Sequence, residues 1–299
     1  MPDFVLRRIE LKEFKDKVAV ITGAASGIGF GLAERSAKEG MKVVLADVEE
    51  SALNEAEKQI KELGAETFVV KTDVSKAEDV KLLADKTIDT FGKVHLLFNN
   101  AGVAGGSTAW ATTLTDWRWI LGVNLWGVIH GIHFFVPIML KQNTECHIVN
   151  TASSSGLVSS TRSVPYPVSK HGIVALTESL YKQLEERDYK VGVSVLCPGF
   201  VKTRLGEADR NRPKGLTNEV NEGRSEVDEA MQAFMNNARG AVENGIPPQA
   251  VAEIVFDAIR HNKFYILPNT EGLNQMVTTR MEDILQERNP TRQELEYMK

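Results

Sequence analysis

Lys17-Val-Ala-Val-Ile-Thr22 runs directly into Gly23-Ala-Ala-Ser-Gly27-Ile-Gly29. The first stretch is a β-branched run with no polar side chain between Val18 and Ile21, which predicts a buried strand. The second is a glycine-rich turn, and a helical pattern follows it to about Lys38. Strand, glycine turn and helix in that order predict a βα unit whose turn faces an anionic ligand. Gly23 permits the tight turn. Gly27 and Gly29 let the backbone approach a pyrophosphate, with Ser26 and Ile28 between them, and let the helix pack on the strand. The first helical turn would offer its free N–H groups and positive dipole end to the phosphates. A plain glycine-rich βα turn has the same local pattern, so the sequence around it must decide.

The next strand pattern, Met41-Lys-Val-Val-Leu-Ala-Asp47, ends in an acid eighteen residues past Gly29. That is close to the ~20 residues expected for a carboxylate that accepts the adenosine ribose hydroxyls. A 2′-phosphate would face a like charge there, and neither Ser26 nor Val48 supplies a compensating base. The sequence therefore predicts NAD rather than NADP. The competing reading of Asp47 is a cap for a helix that starts near Glu49.

Outward from this unit the pattern alternates. Strands fit 17–22, 42–47, 66–71, 94–99, 146–152, 191–197 and 264–267. Helices fit 27–39, 50–63, 76–91, 109–140, 165–187 and 248–261. This predicts the α/β class, a Rossmann-like doubly wound parallel sheet of about seven strands with helices on both faces. The 299 residues read as one catalytic domain, with a core of about 16–268, a lid of about 204–246 and a C-terminal extension over 269–299. Within the lid, Met231, Phe234, Met235 and Ala238 make one apolar face of a helix expected over 226–243. The extension predicts a helix that docks on its own body or on a neighbouring subunit.

Apolar content of 42% and charged content of 25% describe an ordinary globule, and a net charge of −5 argues against a general nucleic-acid surface. Cys146 and Cys197 read as small buried hydrophobes rather than a disulfide. The N-terminus shows no cleavable signal, and the longest apolar stretch, Trp117 to Leu140, is interrupted by Arg118, Asn124, His130 and His133. A cytoplasmic protein without a membrane partner is the expectation.

The chemistry is expected at three side chains. Tyr166 and Lys170 are four residues apart in Tyr-Pro-Val-Ser-Lys, and Ser153 lies thirteen residues before Tyr166. On a helix over 165–187, positions i and i+4 share a face. A phenol near pKa ~10 is a poor proton carrier at neutral pH, and lowering it by about three units takes roughly 4 kcal/mol. One ammonium about 4 Å away, in an effective dielectric near 20, supplies about that much. Lys170 is therefore expected to make Tyr166 a usable acid and base.

With the glycine turn, Asp47 and this trio together, the chain resembles the short-chain dehydrogenase/reductase family over about residues 16–268. Asp73-Val74 resembles the family's acid segment at the adenine, although a cap with Ser75 competes. Asn99-Asn100-Ala101-Gly102 resembles its Asn-Asn-Ala-Gly segment. Asn124 falls where the family places a helix-distorting asparagine, whose backbone carbonyl holds a water linked to the lysine. Pro198-Gly199-Phe200-Val201-Lys202-Thr203 resembles the segment beside the nicotinamide, with the threonine at its amide; Thr203 could equally cap a lid helix. The resemblance implies Asn124, Ser153, Tyr166 and Lys170 as the catalytic set. It also implies that helices equivalent to 109–140 and 165–187 pair in a homodimer or homotetramer.

The expected reaction is hydride transfer between a secondary alcohol or its ketone and the nicotinamide, with no metal. Ser153, Ser155, Tyr166 and Phe200 are expected at the substrate, with Ala104, Gly105, Val158, Pro165 and the lid face around it. Their apolar character favours a hydrophobic alcohol. Trp110, Trp117, Trp119 and Trp126 fit a subunit interface better than a pocket. Two other readings stay open: an NADPH-dependent ketoacyl-carrier-protein reductase, and a non-catalytic dinucleotide sensor on the same fold.

Overall fold

The structure, a computed structural model, describes residues 11–159, 163–218, 229–269 and 272–292, with the side chains of 229–235 excepted. Among the described residues, seven strands form one sheet: β1 (Val18–Thr22), β2 (Lys42–Asp47), β3 (Thr67–Lys71), β4 (Leu96–Asn99), β5 (Cys146–Thr151), β6 (Val191–Leu196) and β7 (Tyr265–Ile266). Their order is β3-β2-β1-β4-β5-β6-β7, and every pair is parallel. The order reverses between β1 and β4, so the crevice beyond their C-terminal ends is where such a sheet takes its ligand.

Alternation along the strands builds two cores. Ala19, Ile21, Val43, Leu45 and Phe98 face α1 (Gly27–Lys38), α2 (Glu50–Glu62) and α8 (Pro248–Arg260). Val18, Val20, Val44, Leu97 and Ile148 face α3 (Ala77–Phe91), α5 (Gly127–Gln142) and α6 (Pro165–Glu186). Both faces are thus covered by helices, which is why the strands read as continuous apolar runs rather than alternating ones.

The expected helix 109–140 is corrected in two places. It begins at Leu114, because Thr113 caps the first turn by accepting from Asp116 N. It then breaks into α4 (Leu114–Leu121), a single wide π turn (Gly122–Trp126) and α5. The stretch Leu114–Gln142, with mean hydropathy 1.6, is by length and composition able to cross a membrane; here α5 packs through Phe135, Val136 and Met139 into the second core. The tryptophans are split: Trp119 is buried and Trp110 is 87% exposed.

The region expected to form a lid is also irregular at its start. Leu205–Asn211 and Lys214–Leu216 are short 3-10 runs, and α7 spans Glu229–Glu243. Residues 226–228 and the side chains of Met231, Phe234 and Met235 lie outside the described residues. The C-terminal helix α9 (Leu273–Leu285) docks on its own body through Leu273 and Met276 against Val158. Cys146 and Cys197 are buried and free, as expected.

Two histidines occupy the sheet itself, near its N-terminal edge. His95 Nδ1 accepts from Val18 N at 3.0 Å. His147 Nε2 lies 2.7 Å from Ser194 Oγ, which donates to Lys263 O. Burial pushes their pKa values down, to about 4 for His95 and about 3 for His147.

Candidate active site

The glycine turn is constructed by close approach. A Cβ on Gly29 would collide with the Gly23 carbonyl, and one on Gly23, at φ +66, would lie 2.9 Å from Ala101 Cα. Ser26 is the N-cap of α1 but makes no side-chain capping bond, which leaves the first-turn donors to a ligand or to water. Asn100 locks this turn to the next segment. Its Nδ2 donates to Thr22 O at 3.0 Å, and Thr22 Oγ1 accepts from Asn100 N and Ala101 N.

Asp47 is fastened on both oxygens. Oδ2 accepts from Ala25 N and Oδ1 from Glu49 N, each at 3.0 Å. Burial pushes its carboxyl pKa up, with these backbone bonds pulling the other way. Asp47 therefore braces both the glycine turn and the entry to α2, while the helix itself is capped at Glu49. Val48 beside it is exposed. At Asp73 the structure has the capping arrangement: Oδ1 accepts from Ser75 N at 3.1 Å and Ser75 Oγ at 2.6 Å. It closes the turn before α3, whose N-cap is Lys76. Val74 is buried under Gly127, and its carbonyl lies 2.9 Å from His130 Nδ1.

Asn124 sits within the π turn and is fully buried. Its side chain ties two segments together. Oδ1 accepts from Val103 N at 2.8 Å, while Nδ2 donates to Val103 O and Ser169 Oγ, each at 3.0 Å. Ser169 Oγ in turn donates to Tyr166 O. One carboxamide thus joins the loop after β4 to the helix that carries Tyr166 and Lys170. Sequence reasoning missed Ser169 as a member of this web; a buried polar residue needs a partner, but nothing in the linear order says which.

The trio does come together. The Ser153 side chain is hydrogen-bonded to the Tyr166 side chain, and Ser155 N donates to Ser153 Oγ at 3.1 Å. Lys170 is buried, donates to Thr151 O at 3.0 Å, and holds Nζ 5.5 Å from the Tyr166 ring centroid. A Cβ on Gly102 would lie 3.6 Å from this Nζ, so the Asn100–Gly102 segment runs past the ammonium. The electrostatics correct the expected depression of the phenol. Burial, the largest influence, pushes the Tyr166 pKa up, and the Ser153 bond opposes it. Burial likewise pushes the Lys170 ammonium down to about 8.

Pro198 to Thr203 closes the near side. Pro198 O accepts from Ser154 N, and Gly199 N donates to Pro268 O. Phe200 O accepts from Ile246 N, and Val201 is buried where it bridges to Ile246. Phe200 is thus tied through its backbone to the segment before α8. A Cβ on Gly27 would meet Thr203 Cγ2 at 3.1 Å, and a cavity of about 440 Å³ opens between Ser26, Gly27, Thr203 and Pro248. Thr203 does not cap α7; its Oγ1 accepts from Leu205 N.

Residues 205–218 then cross the crevice and are tied at both banks. Arg210 Nε and Asn211 Nδ2 donate to Glu49 Oε1 at 2.8 and 2.7 Å. On the other bank Arg212 pairs with Asp116 at 2.6 Å and lies over the Trp119 ring, and Asn218 Nδ2 donates to Asp116.

The residues present fit a dinucleotide: an uncapped helix start behind a steric glycine turn, a buried oriented carboxylate at the second strand end, and a glycine-lined path to Lys170. A fold with these features at its switch point is that of a dinucleotide-dependent oxidoreductase. Residues 17–214 match the family model for short chain dehydrogenases, and the chain belongs to that family. It is 36% identical over 276 residues to the CLA biosynthesis dehydrogenase/reductase of Lactiplantibacillus plantarum, spanning 92% of this chain and 95% of that protein. To the cyclohexanol dehydrogenase of Acinetobacter sp. (strain SE19) it is 35% identical over 201 residues, 67% of this chain and 79% of that one. A crystal structure of a short chain dehydrogenase/reductase from Burkholderia phymatum in complex with NAD is 47% identical, with 95% of this chain and 99% of that chain covered and a TM-score of 0.89.

Proposed function

We propose that the chain is an NAD-dependent dehydrogenase of hydrophobic secondary alcohols, and in reverse a reductase of their ketones. The observation that carries this is the bond between the Ser153 and Tyr166 side chains, with a buried Lys170 one helical turn away. Bound nicotinamide dinucleotide supplies the hydride chemistry; Gly23 to Gly29, Asp47, Asn100 to Gly102 and Pro198 to Thr203 would hold it. The likeness to an NAD complex and the carboxylate of Asp47 support NAD. The likeness to a cyclohexanol dehydrogenase supports an apolar alcohol.

The protein's own part is positioning and proton movement. In ketone reduction Tyr166 Oη gives its proton to the forming alkoxide, and Ser153 Oγ hydrogen-bonds the same oxygen. The raised phenol pKa suits this direction, because the proton is present at neutral pH. In alcohol oxidation Tyr166 must act as phenolate, which the Lys170 cation beside its ring favours. Lys170 and Asn124 keep the buried backbone around the pair fixed. The whole chain acts as one catalytic domain, located in the cytoplasm, and associates as a homodimer or homotetramer through the faces of α5 and α6.

A screen of secondary alcohols with NAD and NADP, followed at the reduced-nicotinamide absorbance, tests this reading. Tryptophan-fluorescence titration with NADH runs beside it. NADH binding with no turnover on any alcohol or ketone would overturn the enzyme reading in favour of a sensor.

A further inference from the structure

Tyr166 is the second residue of α6, so its hydroxyl is placed by whatever holds the start of that helix. The helix does not hold itself there: its N-cap is Val164, which has no side-chain capping bond. Three contacts with one loop take over. Ser163 Oγ donates to Gly105 O at 2.6 Å. Val164 N donates to Ser107 O at 3.0 Å. The Pro165 ring lies so close to Gly106 that a Cβ there would be 2.8 Å from Pro165 Cδ. Ser163 makes its bond from a left-handed backbone, φ +54, a conformation that a non-glycine residue adopts at a cost. The loop it grips follows Asn100–Val103, the stretch that Asn124 fixes from below.

From this we infer that Ser163 is a positioning residue: its hydroxyl sets the distance between the Tyr166 and Ser153 hydroxyls by tying the start of α6 to the loop after β4. This rests on the proposed alcohol dehydrogenase activity. Loss of the tie lets the phenol drift, and a misplacement of about 1 Å costs on the order of 10²-fold in rate. The Ser153 bond, which opposes the burial effect on the Tyr166 pKa, also loosens.

The test uses the full-length enzyme and the best alcohol from the screen. Ser163→Ala removes the hydroxyl. Ser163→Gly removes it and also relieves the backbone conformation. Gly106→Ala disturbs the same contact from the other side. All three are expected to lower kcat between tenfold and a hundredfold, to leave the NADH dissociation constant within twofold, and to move the alkaline-rising limb of kcat/KM to higher pH. Ser163→Asn, which tolerates the left-handed backbone and keeps a donor, is expected to recover part of the rate. A Ser163→Gly enzyme as fast as wild type overturns the role of the hydroxyl. So does a fall in melting temperature with rate and pH profile unchanged. Inactivity of the wild-type enzyme on every alcohol and ketone would instead strike the activity itself, so the two failures are distinguishable.

Discussion

Exchanging one oxygen of Asp47 for nitrogen, Asp47→Asn, isolates the charge that NAD selection is proposed to use. The shape at the end of β2 is nearly unchanged, and one carbonyl oxygen remains for Ala25 N or Glu49 N. One of the two backbone donors loses its partner, which costs about 1–3 kcal/mol of stability. The effect on cofactor choice is larger. A 2′-phosphate carries roughly −1.5 to −2 charges. At about 6 Å from a carboxylate, in an effective dielectric near 20, each charge pair repels by about 3 kcal/mol. Screening by solvent at the mouth of the crevice reduces the sum, and about 3–4 kcal/mol remains as a working figure, or 10²- to 10³-fold. The ratio of kcat/KM with NAD to that with NADP, measured on one alcohol at fixed ionic strength, should therefore fall by about 10²-fold or more in the variant. Because burial raises the Asp47 pKa, the wild-type preference should also weaken on acidification sooner than for an ordinary carboxylate near ~4. A variant that is folded by circular dichroism and keeps a ratio within threefold of wild type would refute this reasoning.

Tyr166→Phe should lower turnover by at least three orders of magnitude while NADH titration remains normal; a near-normal rate would remove the phenol from the chemistry. Asn124→Ala leaves the Val103 amide and carbonyl without their buried partners, so urea unfolding should show a loss of about 2–5 kcal/mol. His147 takes up no proton until about pH 3 in the folded chain, whereas the unfolded chain does so near ~6.5. Its contribution is therefore complete above ~6.5 and falls by about 1.4 kcal/mol per pH unit below that. Between pH 7.5 and pH 5 a His147→Gln protein should lose about 2 kcal/mol less than wild type in matched urea titrations.

The fold was legible because its signals are local and repeated. Each βα unit of the first half announces itself by a β-branched run followed by a period of 3.6, and the limits of β2 and α1 differ from the expectation by at most one residue. Where the chain departs from regular geometry, the linear pattern was silent. The residues of Gly122–Trp126 do not by themselves distinguish a π turn from an α turn; the family resemblance alone placed a helix distortion at Asn124, where the π turn lies. The pairing of Tyr166 with Lys170 followed from helical spacing and the choice of Ser153 from the family resemblance, but their proton affinities followed from neither. Charge proximity alone predicts a lowered phenol, and only the depth of the site shows that desolvation prevails. Ser163 has no sequence signal at all, because its part depends on a loop some sixty positions away.

The roof over the crevice has unequal fastenings. The Arg210–Glu49 side chains are each 24% exposed, against 12% and 14% for Arg212 and Asp116. Dissolved electrolyte weakens the wetter pair first. Concentrated salt would therefore loosen the Arg210–Glu49 pair first, leaving the uncharged Asn211 donor on Glu49 at that rim, while the Arg212–Asp116 pair on the α4 rim still grips.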